Sequence, residues 1–211
     1  MIKEEYNSKI AEMLSALRNR GIKGILAFSG SVPRELEERA KTIVEESFEV
    51  LKNYPLAIQT GGTKFDIQNY AAEASKRFGM PLIGVYPSRG LKYRLDNLDF
   101  AIEVSPRYGT SEWGDDTEIF AKLPQAVEII GGSVGTLIEF GHLIKVNDSK
   151  FKEKRDLIYI APVVFDGIIT TADIGYIFPL KPEQKEAFPK EKIVENGRKA
   201  AEFLVNKLGV Q

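Results

Sequence analysis

The sequence predicts a doubly wound α/β fold: a single domain with a mainly parallel, Rossmann-like sheet and helices on both faces. Three observations predict it. Short apolar runs alternate with helical repeats along the whole chain. Four of those runs end in small, glycine- and hydroxyl-rich turns, where such sheets bind their ligands. The length of 211 residues, with 43% hydrophobic and 28% charged residues, suits one folded unit with a substantial core and excludes a disordered or low-complexity chain.

The elements follow in order. Ile10, Met13, Leu14 and Leu17 recur at three- and four-residue steps, so a helix runs from Glu4 to Arg20, within an N-terminal segment 1–21 that Gly21 ends. Ile22 to Phe28 reads as the first strand, closed by Ser29-Gly30-Ser31. Pro33 sits near the first turn of a helix reaching Lys52, where its missing N–H costs nothing. Pro55 to Gln59 is a second strand, closed by Thr60-Gly61-Gly62-Thr63, and a helix from Ile67 to Phe78 follows, stopped by Gly79 and Pro81. Leu82 to Tyr86 is the third strand, closed by Pro87-Ser88-Arg89-Gly90, and Phe100 to Val104 the fourth.

A polar, turn-rich stretch to Asp116 leads into a short helix, Thr117 to Leu123. The strand Ala126 to Ile130 then ends at Gly131-Gly132-Ser133-Val134-Gly135-Thr136. A helix from Leu137 to Val146, a charged connector from Asn147 to Asp156 and a strand from Leu157 to Phe165 come next. Ile168 to Pro189 mixes apolar pairs with Pro, Gly and charge; a lid over the site and an edge strand are equally open there. An amphipathic helix over 189–208 closes the chain, and no internal repeat or linker divides it.

Composition narrows the chemistry. Lys and Arg total 29 against 30 Asp and Glu, a net charge of −1, so the chain lacks the overall basic footprint of a nucleic-acid binder. Without cysteine there are no disulfides, zinc thiolates, iron–sulfur clusters or thiol nucleophiles, and one histidine excludes two-histidine sites within a chain. The first five residues are charged and no apolar stretch is long enough for a membrane span, so a cytoplasmic protein with no membrane partner is expected. Charge carried mostly by Glu and Lys, with little Gln, leans toward a thermophile.

The four loops at the predicted strand ends suit phosphate. Glycine lets backbone N–H groups approach a ligand, the following helix N-termini are partly positive, and Ser and Thr add donors. Neither GxGxxG nor GxxxxGK[ST] occurs, which excludes a standard dinucleotide dehydrogenase and a P-loop NTPase. Gly131 to Gly135 matches the GxSxG of a nucleophile elbow. The only histidine, His142, lies nine residues after Ser133 on the same predicted helix; nine residues of helix rise ~13 Å, out of reach of that serine.

Thr136-Leu137-Ile138-Glu139 reads as a capping box with Thr136 as N-cap and Glu139 as N3. A carboxyl there also faces the ligand side, where it can bond a ribose hydroxyl or polarise a glycosidic centre. In Trp113-Gly114-Asp115-Asp116-Thr117-Glu118, Asp115 or Asp116 either caps the short helix or contacts ribose or Mg²⁺. No cofactor is required, and Mg²⁺ is possible. Trp113 either stacks on a base or packs its loop, and Arg89 either grips a phosphate or is solvated.

These motifs resemble the SLOG superfamily, a Rossmann-like group that includes LOG phosphoribohydrolases ("lysine decarboxylase-like" proteins), molybdenum-cofactor carrier proteins, the DprA core and the N-terminal domain of TRPM channels. The LOG motif PGGxGTxxE aligns with Gly131 to Glu139, with Gly132, Gly135, Thr136 and Glu139 in agreement, Gly131 in place of Pro and Ser133 in place of the second Gly. The family's GGG loop is similar to Thr60-Gly61-Gly62-Thr63, its Val-Ile-Gly-Val strand to Leu82-Ile83-Gly84-Val85-Tyr86-Pro87, and its first ligand loop to Ser29-Gly30-Ser31. LOG enzymes carry an Arg-Lys pair upstream whose arginine works with the motif glutamate; that spacing falls on Asp116 and Thr117 here. Trp113 to Asp116 instead resembles the WGDE element of prokaryotic TRPM-type members.

The resemblance implies a cytosolic, homodimeric protein that binds or senses a nucleotide-derived phosphate ligand, ADP-ribose-like or a nucleoside monophosphate. The ligand residues would be Ser29, Gly30, Ser31, Thr60, Gly61, Gly62, Thr63, Ser88, Arg89, Trp113, Asp115, Asp116, Gly131, Gly132, Ser133, Val134, Gly135, Thr136 and Glu139. The alternative is a LOG-like phosphoribohydrolase cleaving the N-glycosidic bond of a nucleoside 5′-monophosphate. Glu139 would then be catalytic, with Arg89, Arg107 or Lys122 replacing the family's arginine. A carrier or assembly protein, with the terminal helices as oligomer surfaces, is the third reading.

Overall fold

The computed structural model describes residues 4–210, so residues 1–3 of the predicted N-terminal segment lie outside it. The described residues form one seven-stranded sheet. Its strands are β1 (Gly24–Ser31), β2 (Leu56–Thr60), β3 (Leu82–Pro87), β4 (Phe100–Val104), β5 (Ala126–Gly131), β6 (Tyr159–Val164) and β7 (Ile193–Val194). Their order is β4-β3-β2-β1-β5-β6-β7, and every neighbouring pair is parallel.

The sheet divides the core in two, because successive side chains of a strand point to opposite faces. Leu26 and Phe28 of β1 join the layer of α2 (Glu37–Leu51), α3 (Asp66–Arg77) and α8 (Gly197–Leu208). Ile25 and Ala27 join the layer of α1 (Glu4–Asn19), α4 (Thr117–Lys122), α5 (Val134–Lys152), α6 (Thr171–Ile177) and α7 (Pro182–Lys185). Burial on both faces explains why the central strands read as unbroken apolar runs. Phe28 stacks on Phe48 at 5.3 Å between ring centres.

The elements differ from the expectation in several places, and the following have a physical reason. Ser29 to Ser31, Thr60 and Gly131 continue their strands, because parallel pairing extends to Ser31↔Gly131 and Thr60↔Gly84. The predicted connector from Asn147 is helix as far as Lys152. Its charges mark an exposed helical face, and buried Asn147 bonds both the N–H and the C=O of Ile158 at 2.8 Å, fixing the lead-in to β6. The segment 168–189 is neither lid nor edge strand; it carries α6 and α7, with Ala172, Leu180, Ala187 and Phe188 buried in the second core. The last helix starts at Gly197, not at 189, because β7 pairs with β6 first. Glu195 then takes a left-handed φ of 44°, and Asn196 caps the helix through the Lys199 N–H at 2.7 Å.

One carboxyl is buried in the middle of the sheet. Glu128 of β5 is 0% exposed; Ser47 donates to its Oε1 at 2.7 Å, and its Oε2 has no hydrogen-bond partner among the described residues. Burial pushes its pKa up to about 8, against the Ser47 hydrogen bond and with help from the negative Glu46. Between the ordinary carboxyl range and that value the folded chain keeps a proton that the unfolded chain has lost, so stability falls as pH rises through this window. Glu128→Gln is expected to stabilise the protein on the order of 2–4 kcal/mol near pH 9 and to change little near pH 4. Urea unfolding of both proteins at the two pH values measures this.

The β1–β5 contact sets a second test. Gly30 has φ 140°, and a Cβ there would lie 2.1 Å from the Ile130 carbonyl oxygen. Gly30→Ala therefore forces the two strands apart where they are hydrogen-bonded. It is expected to lower stability by about 3 kcal/mol or more, read as a drop in the unfolding midpoint.

Candidate functional site

The chain winds outward from β1 through β2, β3 and β4, then returns to place β5 on the other side of β1. The crevice beyond the carboxyl ends of β1 and β5 is the switch point of the sheet, where open α/β folds bind ligands. A cavity of about 510 Å³ opens there, a size suited to a small molecule.

Three glycine-rich segments make its polar wall. Gly30 and Ser31 come from β1, Gly61 and Thr63 from the turn after β2, and Ser133, Val134, Gly135 and Thr136 from the start of α5. The last segment is held from both sides. The Gly132 N–H donates to Ser31 C=O at 2.8 Å, and Thr171 Oγ1 of α6 donates to Ser133 C=O at 2.9 Å. Gly132 has φ 110°, and a Cβ there would come within 2.7 Å of Thr136 Cγ2. The turn therefore requires glycine.

This geometry corrects the predicted cap. Ser133 is the N-cap of α5, so Thr136 is N3, and the Ser133 N–H donates to Thr136 Oγ1 at 3.4 Å. Glu139 lies in the second turn instead of at N3. Freed from capping, its carboxyl accepts a hydrogen bond from Ser29 Oγ of β1. Ser29 is buried beneath the wall.

Three carboxyls line the cavity, those of Asp66, Asp116 and Glu139. Burial pushes Glu139 up to about 8; the Ser29 hydrogen bond opposes this and the nearby Asp116 charge adds to it. Burial also raises Asp116, to about 6, against the backbone N–H groups that bond it and with the help of Asp115. No Lys, Arg or His is among the described residues that line the cavity. The candidate cations are engaged elsewhere: Arg89 pairs with Glu112 and lies over the Trp113 ring at 5.7 Å, while Arg107 and Lys122 both pair with Glu118. Among the described residues no three His, Asp or Glu side chains gather as metal ligands.

Of the residues singled out in the sequence, Gly30, Ser31, Gly61, Thr63, Trp113, Asp116, Glu139 and Ser133 to Thr136 meet at the cavity. The others stand behind it. Thr60 Oγ1 accepts the Gly62 N–H at 3.1 Å, Ser88 Oγ donates to Val104 C=O at 3.3 Å, and Asp115 accepts the Glu112 N–H at 2.8 Å. Gly131 and Gly132 shape the turn, and Arg89 backs Trp113. His142 lines a separate cavity with Lys122, Lys145 and Arg155, so Ser133 has no histidine base.

Sequence reasoning missed Phe65, Asp66, Gln68, Pro87, Gly114, Thr117 and Ile138 on the cavity wall. The available signal was position: Phe65 to Gln68 begin the helix after the second glycine turn. Phe65, Tyr93 and Trp113 form a ring cluster, with centres 4.9 Å (Phe65–Tyr93), 6.2 Å (Phe65–Trp113) and 6.3 Å (Tyr93–Trp113) apart.

No family model and no curated protein matches the sequence. Among solved structures, the molybdenum cofactor binding protein of the phototrophic bacterium Rippkaea orientalis is 15% identical with a TM-score of 0.57, over 88% of this chain and 97% of that one. The molybdenum cofactor carrier protein of Chlamydomonas reinhardtii is 18% identical with a TM-score of 0.60, over 88% and 98%. A structural-genomics protein, TM1055, is 14% identical with a TM-score of 0.60, over 88% and 99%. The chain has the Rossmann-like α/β fold of these three proteins.

Proposed function

We propose that the cavity binds a nucleotide-derived phosphate ligand and releases it intact, as a sensor or carrier does. The observation that carries this reading is the composition of the wall. Backbone amides and hydroxyls of Gly30, Ser31, Gly61, Thr63 and Ser133 to Thr136 converge on one space at the start of a 19-residue helix. Asp116 and Glu139 stand in the same space for ribose hydroxyls. A wall with three carboxyls, Asp66 included, and no cation favours one phosphate over the two of an ADP-ribose-like ligand. The described residues contain no helix long and apolar enough to cross a membrane. A homodimer belongs to the reading as what the family resemblance implies. The molybdenum cofactor proteins of the same fold are named for a bound small molecule, which agrees with a carrier.

Hydrolysis of the N-glycosidic bond is the second reading. It is favoured by one observation: two neighbouring carboxyls with pKa values of about 6 and about 8 are an acid–base pair in the making. It lacks the cation that LOG-type chemistry employs.

Thermal unfolding with nucleoside monophosphates, followed by chromatography of the same samples, separates the two. Ligand at a hundred times Kd stabilises the fold by about 2.7 kcal/mol, a rise of about 5–10 °C. The expected result is that rise with the nucleotide recovered whole. Because Glu139 is raised to about 8, the neutral amide of Glu139→Gln imitates it, and affinity at pH 7 is expected to stay within about threefold. Free base released by the wild type and not by Glu139→Gln would instead establish hydrolysis. Absence of any shift would remove the nucleotide assignment.

A further inference from the structure

The cavity also carries features that phosphate and ribose do not use. Trp113 is 49% exposed at the wall, and its ring is held by its neighbours. Tyr93 stacks on it, the Arg89 guanidinium covers it, and Gly90 packs against it so closely that a Cβ there would lie 3.4 Å from Cζ3. Phe65 meets its edge. The half of this ring that remains exposed lines the cavity and is the platform that a flat heterocycle would contact.

Directly after Phe65 comes Asp66, whose half-buried carboxyl lines the same cavity and has no hydrogen-bond or ion-pair partner among the described residues. It is held at a left-handed φ of 33°, an unusual conformation at the first residue of α3. Two residues on, Gln68 also lines the cavity. Its Oε1 accepts the Gly61 N–H at 3.2 Å, which fixes the amide so that Nε2 is left as a donor without a partner among the described residues. The platform is therefore flanked by a carboxylate that accepts two hydrogen bonds and an amide N–H that gives one.

We infer that this part of the cavity selects a 2-amino-4-oxo heterocycle, the edge that guanine and pterin share. Such a ring presents a ring N–H and an adjacent exocyclic amino group side by side, matching a carboxylate, with a carbonyl beside them that accepts from Gln68. Adenine and cytosine set an acceptor nitrogen next to their amino group, and uracil sets a carbonyl on either side of its N–H; each turns a lone pair toward Asp66. The inference rests on the proposed phosphate-ligand reading and names the base within it.

Trp113 is the only tryptophan in the chain, so its fluorescence reports the platform. The full-length protein is titrated with GMP, IMP, AMP and 6-hydroxymethylpterin phosphate. The expected result is quenching by GMP with a Kd about tenfold or more below those of IMP and AMP, because IMP lacks the amino group and AMP the ring N–H. Asp66→Asn, whose side chain tolerates the same φ, is expected to weaken GMP to the level of IMP, to tighten AMP or leave it no weaker, because the amide can donate to the adenine lone pair, and to leave the unfolding midpoint unchanged. A pterin phosphate tighter than GMP supports the same edge and assigns it to pterin. Equal binding of GMP, IMP and AMP, or an Asp66→Asn variant that binds GMP as the wild type does, overturns the selectivity and leaves the phosphate-ligand reading standing. No binding by any of them overturns both.

Discussion

The site depends on β1 lying beside β5. Their parallel register pairs Gly30 with Ile130 and Ser31 with Gly131, so that both strands end at one level and turn away from each other. The gap between them is the cavity. The register also places Ser29 under Glu139, a bond across 110 residues of sequence that ties the first strand to the helix after the fifth. Gly132 closes the arrangement by bonding Ser31, and Thr171 braces it from α6. A displacement of either strand would move the glycine wall and the carboxyl of Glu139 together, which couples the fold to the site.

Charge in the cavity is unusual for the phosphate site proposed here. The wall has carboxyls and no cation among the described residues, which would repel an anion if those carboxyls were all ionised. Burial resolves part of the conflict. With its pKa raised to about 8, Glu139 is largely a neutral acid at pH 7, and Asp116, raised to about 6, joins it as pH falls through that value. A neutral carboxyl donates a hydrogen bond as well as accepting one, so the same groups that would exclude a phosphate when charged can hold its sugar when protonated. Attraction for the phosphate then comes from fixed amides and the α5 terminus, which carry no counter-charge to lose.

The glycine loops were legible because their chemistry is local: a run such as Gly131 to Thr136 has the same meaning wherever it lies at a strand end. Glu139 was legible as a residue but not in its role, since three residues of helix start separate a cap from a group that reaches Ser29. Asn147 was hidden because a charged helical surface and a charged connector have the same composition. β7 was hidden because two residues are too short to show a period. Phe65, Asp66 and Gln68 were hidden for a different reason. Their meaning lies in facing Trp113, almost fifty residues away in sequence, and no local pattern encodes that.

The most direct test of this account is the pH dependence of GMP affinity, measured by calorimetry from about pH 5.5 to about pH 9 for the wild type and for the Asp116→Asn, Glu139→Gln double variant. The second ionisation of the phosphate is common to both proteins, so the ratio of their affinities isolates the two acids. If Asp116 and Glu139 bind as neutral groups, the wild type loses about tenfold or more relative to the variant as pH rises through their titration. A ratio that stays constant across the range, or that moves in favour of the wild type at high pH, would contradict the account.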